Sequence, residues 1–194
     1  MEDRERWDAR YRELDAELGA ASRPPARFLE LAAGLLPGAG RALDLAGGDG
    51  RNALWLAARG LEVTLADVSP VALARAERLA AAGGQRLRTV ACDLEREPPP
   101  AGPWDVVLCF HYLQRDLFPD IAWALAPGGV LLFCQPTRRN LERHPRPSAR
   151  FLLEEGELPA LIPPVLEVLR LEEGWLEEGR HEARVVARRR DPGS

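Results

Sequence analysis

A chain of 194 residues is long enough to bury a hydrophobic core and short enough to form one domain. The net charge is −4, which argues against a general nucleic-acid binder, because that class needs a basic face to displace phosphate counterions; all 26 basic residues are arginines, a coding-bias signature. Hydrophobic residues at 46% and charged residues at 29% exclude a disordered or fibrous chain.

The first residues, through Trp7-Asp8-Ala9-Arg10-Tyr11, are charged and helical in pattern and lack the apolar centre of a signal peptide. No apolar run nears the roughly 18 residues of a membrane span. The expected location is cytoplasmic, with no membrane partner, and residues 1–37 are expected to form a helical cap.

From residue 41, strand and helix patterns alternate. Ala42-Leu43-Asp44-Leu45 is a short apolar strand followed by a glycine turn, and Arg51 to Arg59 reads as a helix closed by Gly60. Glu62 to Ala66 is the second strand. Ser69 caps the next helix, Pro70 suits its first turn, and Gly83-Gly84 ends it. Leu87 to Cys92 is a third strand, Pro98-Pro99-Pro100 a break, and Asp105 to Phe110 a fourth strand, almost wholly apolar as a buried parallel strand must be. A helix near Asp116 to Leu125 ends at Pro127-Gly128-Gly129, which feeds the strand Val130 to Gln135.

This alternation implies βαβ crossovers in a doubly wound sheet, with 41–136 as its core. Segment 137–164 opens rich in arginine and proline and is a possible substrate lid. Val165 to Leu171 and Glu182 to Arg189 form a strand pair within 165–190, joined by a connection too short for a helical crossover and therefore antiparallel. The expected fold is one α/β domain over 1–194. Its sheet has seven strands, mostly parallel with an antiparallel last strand, and helices on both faces.

Asp44-Leu45-Ala46-Gly47-Gly48-Asp49-Gly50-Arg51-Asn52 follows a strand and opens a helix, where small residues let a ligand approach the backbone. Asp67 ends the second strand, suited to ribose hydroxyls, and Asp93 follows the third. Three acids at successive strand ends face the edge where open α/β sheets bind ligands. Gly48 to Ala53 also fits the dinucleotide pattern GxGxxA, with Asp67 19 positions after Gly48. However, Asp44 and Asp49 would set two carboxylates around a pyrophosphate, whereas they suit an ammonium. A helix N-terminus can still serve a carboxylate.

These segments, with the strand Trp104 to Phe110 and the turn Pro127-Gly128-Gly129, resemble the ordered motifs of class I methyltransferases. Trp7 to Tyr11 and Gly50 to Ala57 are similar to the tellurite-resistance and thiopurine-type branch. The resemblance implies a Rossmann-like fold and S-adenosylmethionine as cosubstrate, with S-adenosylhomocysteine as product. It further implies that the turn Ala46, Gly48, Gly50 and the helix start at Asn52 cradle the methionine part, with Asp44 near its ammonium. Asp67 would hold the ribose, Val68 would pack on the adenine, and Asp93 and Leu94 would meet its edge. The Cys109 backbone would lie near the donor, and Trp7 or Tyr11 would cover it. Ala46 departs from the pattern, standing where its first glycine is common.

For the acceptor, topology nominates His111, Tyr112 and Arg115 after the fourth strand and Arg138 after the fifth. Arg180 and His181 join the same edge if the last strand is antiparallel. The arginines of 137–150 read either as a solvated surface loop or as a patch that attracts an anion. Cys92, Cys109 and Cys134 are unclustered, so a reducing compartment and no metal site are expected. The expected function is methyl transfer to a small acceptor (a thiol, metalloid oxyanion or similar nucleophile) by a monomer or homodimer without nucleic acid. An NAD(P)-dependent oxidoreductase and a noncatalytic nucleotide-binding scaffold are the alternatives.

Overall fold

A computed structural model describes residues 2–191, so the outermost ends of the expected 1–194 range lie outside the described residues. Among the described residues there are seven strands: β1 (Gly40–Leu45), β2 (Leu61–Asp67), β3 (Arg88–Ala91), β4 (Trp104–Phe110), β5 (Leu125–Pro136), β6 (Leu166–Trp175) and β7 (His181–Arg189). They form one sheet in the order β3-β2-β1-β4-β5-β7-β6. All pairs from β3 through β5 are parallel, and β7 runs antiparallel to both β5 and β6. This is the topology expected from the sequence.

Among the described residues six α-helices surround the sheet: α1 (Glu2–Leu18), α2 (Arg27–Leu31), α3 (Arg51–Ala58), α4 (Pro70–Ala82), α5 (Leu117–Ala124) and α6 (Leu158–Leu161). Strand residues alternate between two apolar layers, as the period of a strand requires. On one face Phe28 of α2, Leu56 of α3 and Leu73 of α4 pack on Val63, Leu65, Val106 and Leu108. On the other, Phe118 and Ile121 of α5 and Leu158 of α6 pack on Leu43, Val107, Leu131 and Phe133. Ser69 caps α4 as expected, its hydroxyl accepting the Ala72 N–H at 3.2 Å.

The largest boundary differences from the sequence expectation lie in β5 and β6. β5 starts at Leu125, opposite Trp104, so Pro127-Gly128-Gly129 lies within an irregular strand whose register shifts between Trp104 and Val106. β6 runs on to Trp175, because it pairs with β7 down to His181.

Parallel strands bring Leu45, Asp67, Ala91, Phe110 and Pro136 to one edge of the sheet. β7 starts at that edge, where the Thr137 N–H donates to the His181 carbonyl at 3.0 Å. His111 and His181 therefore share an edge, as the antiparallel last strand required.

The glycine-rich turn leaves β1 through Ala46, whose φ of 50° lies in the left-handed region. A Cβ there costs roughly 1–2 kcal/mol, while glycine adds a smaller unfolded-state entropy cost. Ala46→Gly should therefore stabilise the protein by up to about 1 kcal/mol. A thermal melt checks this, and a lowered midpoint would contradict the strain.

Candidate active site

A cavity of about 710 Å³ opens at the carboxyl edge of the sheet, within the size range of small-molecule sites. Asp44 lies deep in it. Alternation along β1 turns Leu43 and Leu45 into one apolar layer and Asp44 to the opposite face, against the turn at Gly47. The residue is only 1% exposed, and neither carboxylate oxygen has a well-formed hydrogen bond. Burial, reinforced by the charge of Asp67, pushes its carboxyl up to about 7. A buried carboxylate without a partner is costly for the protein alone and suits a cationic ligand group.

Asp67 is held differently. Its Oδ2 accepts the Gly48 N–H at 2.8 Å and its Oδ1 accepts the Ser69 N–H at 2.9 Å, which fixes the turn to the end of β2. Burial raises its pKa. Each oxygen keeps a second lone pair, so the carboxylate can still accept hydrogen bonds from a ligand.

Helix α1 roofs the cavity with Trp7 and Tyr11. The Tyr11 hydroxyl lies where a Cβ at Gly48 would be, and Gly48 has a φ of 62°, so a glycine is required there on both counts. Burial and the charge of Asp67 raise the pKa of the Tyr11 hydroxyl, which keeps it protonated.

Of the other residues expected to hold the cosubstrate, Ala46, Asn52, Val68, Asp93 and Leu94 line the cavity. Asn52 is buried and its Oδ1 accepts the Ala26 N–H at 2.9 Å, tying the start of α2 to the site. Gly48, Gly50 and Cys109 are not on the wall. Gly50, with a φ of 76°, is where the turn packs against Leu65 and Ala76. The Cys109 thiol is buried in the core, pushed up to about 12 first by that burial and then by Asp44.

The expected pairing of Asp44 with Asp49 around the ligand is not found. Asp49 is fully buried off the cavity wall, with Arg23 at 2.5 Å and Arg75 at 3.5 Å. Arg75, 1% exposed, also donates to Asp15, to the Gly19 carbonyl at 2.6 Å and to the Ala21 carbonyl at 2.7 Å. One buried guanidinium thus fastens the end of α1 to α4 and to the glycine turn. Sequence reasoning missed this residue, although an arginine on the apolar stripe of α4, among Leu73, Ala76 and Leu79, was its signal.

On the acceptor side, His111 and Tyr112 line the cavity, whereas Arg115, Arg138, Arg180 and His181 do not. Arg115 pairs with Glu157, at 2.5 Å from its Nε, and Arg138 pairs with Glu154 at 2.8 Å. Arg180 lies 3.7 Å from Glu182. His181 is buried, its Nδ1 at 2.7 Å from the Thr137 hydroxyl and its ring edge-on to Trp175. From the 137–164 segment Arg150 reaches the wall, while Leu152, Leu153 and Leu158 are buried. Arg51, also missed, lines the cavity without an ion pair among the described residues, and its pKa is lowered by burial and then by Arg23.

His111, Cys134 and Glu182 bring three possible metal ligands within 4.8 Å of one another. The surrounding charge opposes a cation. Glu182 already pairs with Arg184 at 3.1 Å, and burial holds the Cys134 thiol well above its ordinary pKa, hence protonated.

Residues 42–129 match the family of methyltransferase domains. No curated protein matches the sequence. Among solved structures, the chain is similar to TehB from Haemophilus influenzae, with a TM-score of 0.72 and 20% identity over 93% of this chain and 67% of that one. It is similar to the [4+2]-cyclase SpnF at a TM-score of 0.69 and 18% identity, covering 86% of this chain and 82% of that one. A S-adenosylmethionine-dependent methyltransferase from Clostridium acetobutylicum ATCC 824 matches at a TM-score of 0.66 and 14% identity, over 84% and 89% of the respective chains. The strand order is that of the class I methyltransferase fold. The matched segment, less than half of the chain, is a methyltransferase domain. Among the described residues no helix is long and apolar enough to cross a membrane.

Proposed function

We propose that the chain methylates a small acceptor, such as a thiol, a metalloid oxyanion or a similar nucleophile. The observation that carries this is the roof. Helix α1 lies over the cavity with Trp7 and Tyr11, which favours an acceptor small enough to enter beside them. The likeness of Trp7 to Tyr11 and Gly50 to Ala57 to the tellurite-resistance and thiopurine-type branch supports the same reading. A net charge of −4 speaks against nucleic acid as the acceptor. We assign the protein to the cytoplasm as a monomer or homodimer.

The residues present fit the cosubstrate. Asp44 would pair with its ammonium, the start of α3 would face its carboxylate, and Asp67 would hold the ribose. Val68 and Leu94 would pack on the adenine beside Asp93, with Trp7 and Tyr11 excluding water. When bound, S-adenosylmethionine supplies a methyl carbon already activated by its sulfonium. The protein then has to align the acceptor and keep water out. An NAD(P)-dependent oxidoreductase would need to set a pyrophosphate beside the unpaired Asp44, and its electrostatics oppose that.

Donor turnover tests the acceptor class. Purified protein with S-adenosylmethionine should form S-adenosylhomocysteine when offered a panel of small thiols, selenite and tellurite. Turnover with transfer RNA or protein alone would contradict a small acceptor. Tight cosubstrate binding without turnover on any panel would favour the noncatalytic scaffold.

A further inference from the structure

His111 stands out on the acceptor side of the cavity. It follows β4 directly, and its φ of 59° is in the left-handed region, rare for a residue with a Cβ. Its N–H is anchored on the Cys134 carbonyl at 2.9 Å. Strain of this kind persists where surrounding structure enforces it, often at functional sites. The imidazole is about one-third exposed, and its Nε2 lies 3.0 Å from Oε1 of Glu182.

Glu182 settles which nitrogen carries the proton. Burial alone would raise its carboxyl, but His111 and Arg184 outweigh burial and hold it at about 2. Arg184 donates to Oε2 from Nε at 3.2 Å and from Nη2 at 3.1 Å, and is itself buried. An ionised carboxylate only accepts, so Nε2 of His111 must be the donor. Nδ1 is then the basic nitrogen, and it has no hydrogen-bond partner among the described residues. The other groups nearby are the protonated, uncharged Cys134 thiol and Arg180, with Arg51 within reach of the Arg180 charge.

We propose that His111 is the proton acceptor of this methyltransferase, positioned by Glu182, and that the site takes small nucleophiles with a proton on the attacking atom. Thiols, hydroxyls and amines belong to that class, whereas thioethers and pyridines do not. This rests on the methyl-transfer reading above. The acceptor's lone pair forms the bond to the methyl carbon as the carbon–sulfonium bond breaks, and that bond's electron pair stays on the departing sulfur. The acceptor's proton passes to Nδ1, and the imidazolium is stabilised by Glu182. Arg51 offers positive charge to the acceptor atom as its proton leaves.

The chain has only three histidines, which makes the tautomer directly readable. In protein labelled with 15N-histidine and saturated with S-adenosylhomocysteine, His111 should show the neutral Nε2–H tautomer. His111→Asn assigns the signal, and asparagine tolerates the left-handed backbone there. Glu182→Gln should release the tautomer. An Nδ1–H tautomer in the wild type would overturn the proposal, whatever the acceptor.

A second arm reads turnover with 2-mercaptoethanol and phenol against dimethyl sulfide and pyridine. His111→Asn should lower any turnover of the first pair by about a hundredfold or more, with S-adenosylhomocysteine affinity unchanged. Full retention of that turnover, or a wild type active on the aprotic pair alone, would also overturn it. Failure of the wild type to bind S-adenosylhomocysteine would instead defeat the underlying methyl-transfer reading.

Discussion

Asp44→Asn should weaken S-adenosylhomocysteine binding about a hundredfold at pH 7.5, and should stabilise the ligand-free protein at the same time. Both effects come from one buried carboxylate without a well-formed hydrogen bond. Its pKa rises from the ordinary carboxylate value to about 7 on folding. Between those two values the folded state holds more protons than the unfolded state, so stability falls as pH rises through that window. The penalty is complete above about pH 7 and amounts to a few kcal/mol. Asparagine removes it and should flatten the pH dependence of unfolding between about pH 4 and 7. An ammonium paired with Asp44, as proposed, requires the ionised form, so binding below pH 7 should expel a proton. Affinity should then fall by up to tenfold per pH unit from pH 7 toward pH 5. Calorimetry in buffers of different ionisation enthalpy measures that proton directly. A variant with unchanged affinity and unchanged stability would show that Asp44 faces no cation.

Arg75→Met should cost about 3–5 kcal/mol of stability, the largest loss expected from a single side chain here. The guanidinium is buried and serves Asp15, Asp49 and the carbonyls of Gly19 and Ala21 at once. Methionine fills similar volume but leaves the Gly19 and Ala21 carbonyls without that donor, and the buried Asp49 less well balanced against its acidic neighbours. Because the same contacts fasten α1, the variant should also lose affinity for S-adenosylhomocysteine through Trp7 and Tyr11. Urea denaturation read by circular dichroism checks the first effect. A loss below about 1 kcal/mol would mean that Arg23 alone can hold Asp49 and that α1 is secured elsewhere.

The sheet was legible because its physics is local. Apolar strands such as Val106-Val107-Leu108, punctuated by glycine and proline, can be read directly, and the short link between the last two strands forces β7 to run backwards. Part of the cavity lining was legible for the same reason, since Asp44, Ala46, Asp67, Val68 and Asp93 lie at strand ends fixed by that topology. What escaped were long-range charge partnerships. Sequence proximity set Asp49 beside Asp44, yet Arg23 and Arg75, brought in from the segment before α2 and from α4, draw Asp49 away. On the acceptor side, nearness to the edge did not decide which side chains face the cavity. Arg115 and Arg138 are engaged by Glu157 and Glu154, partners that the strand pattern did not reveal. Glu182 was missed as well, because a lone acid in a strand carries no signal until Arg184 and His111 are folded around it.

Similar folds carry different reactions, as the likeness to the cyclase SpnF illustrates. The most direct measurement is therefore calorimetric titration with S-adenosylmethionine and S-adenosylhomocysteine, alongside NAD and NADP. Micromolar binding of both adenosyl ligands, lost in Asp67→Ala while the protein stays folded, is the expected result. Tight binding of NAD or NADP, with the adenosyl ligands silent, would contradict the assignment of Asp44 and Asp67 to a methyl donor.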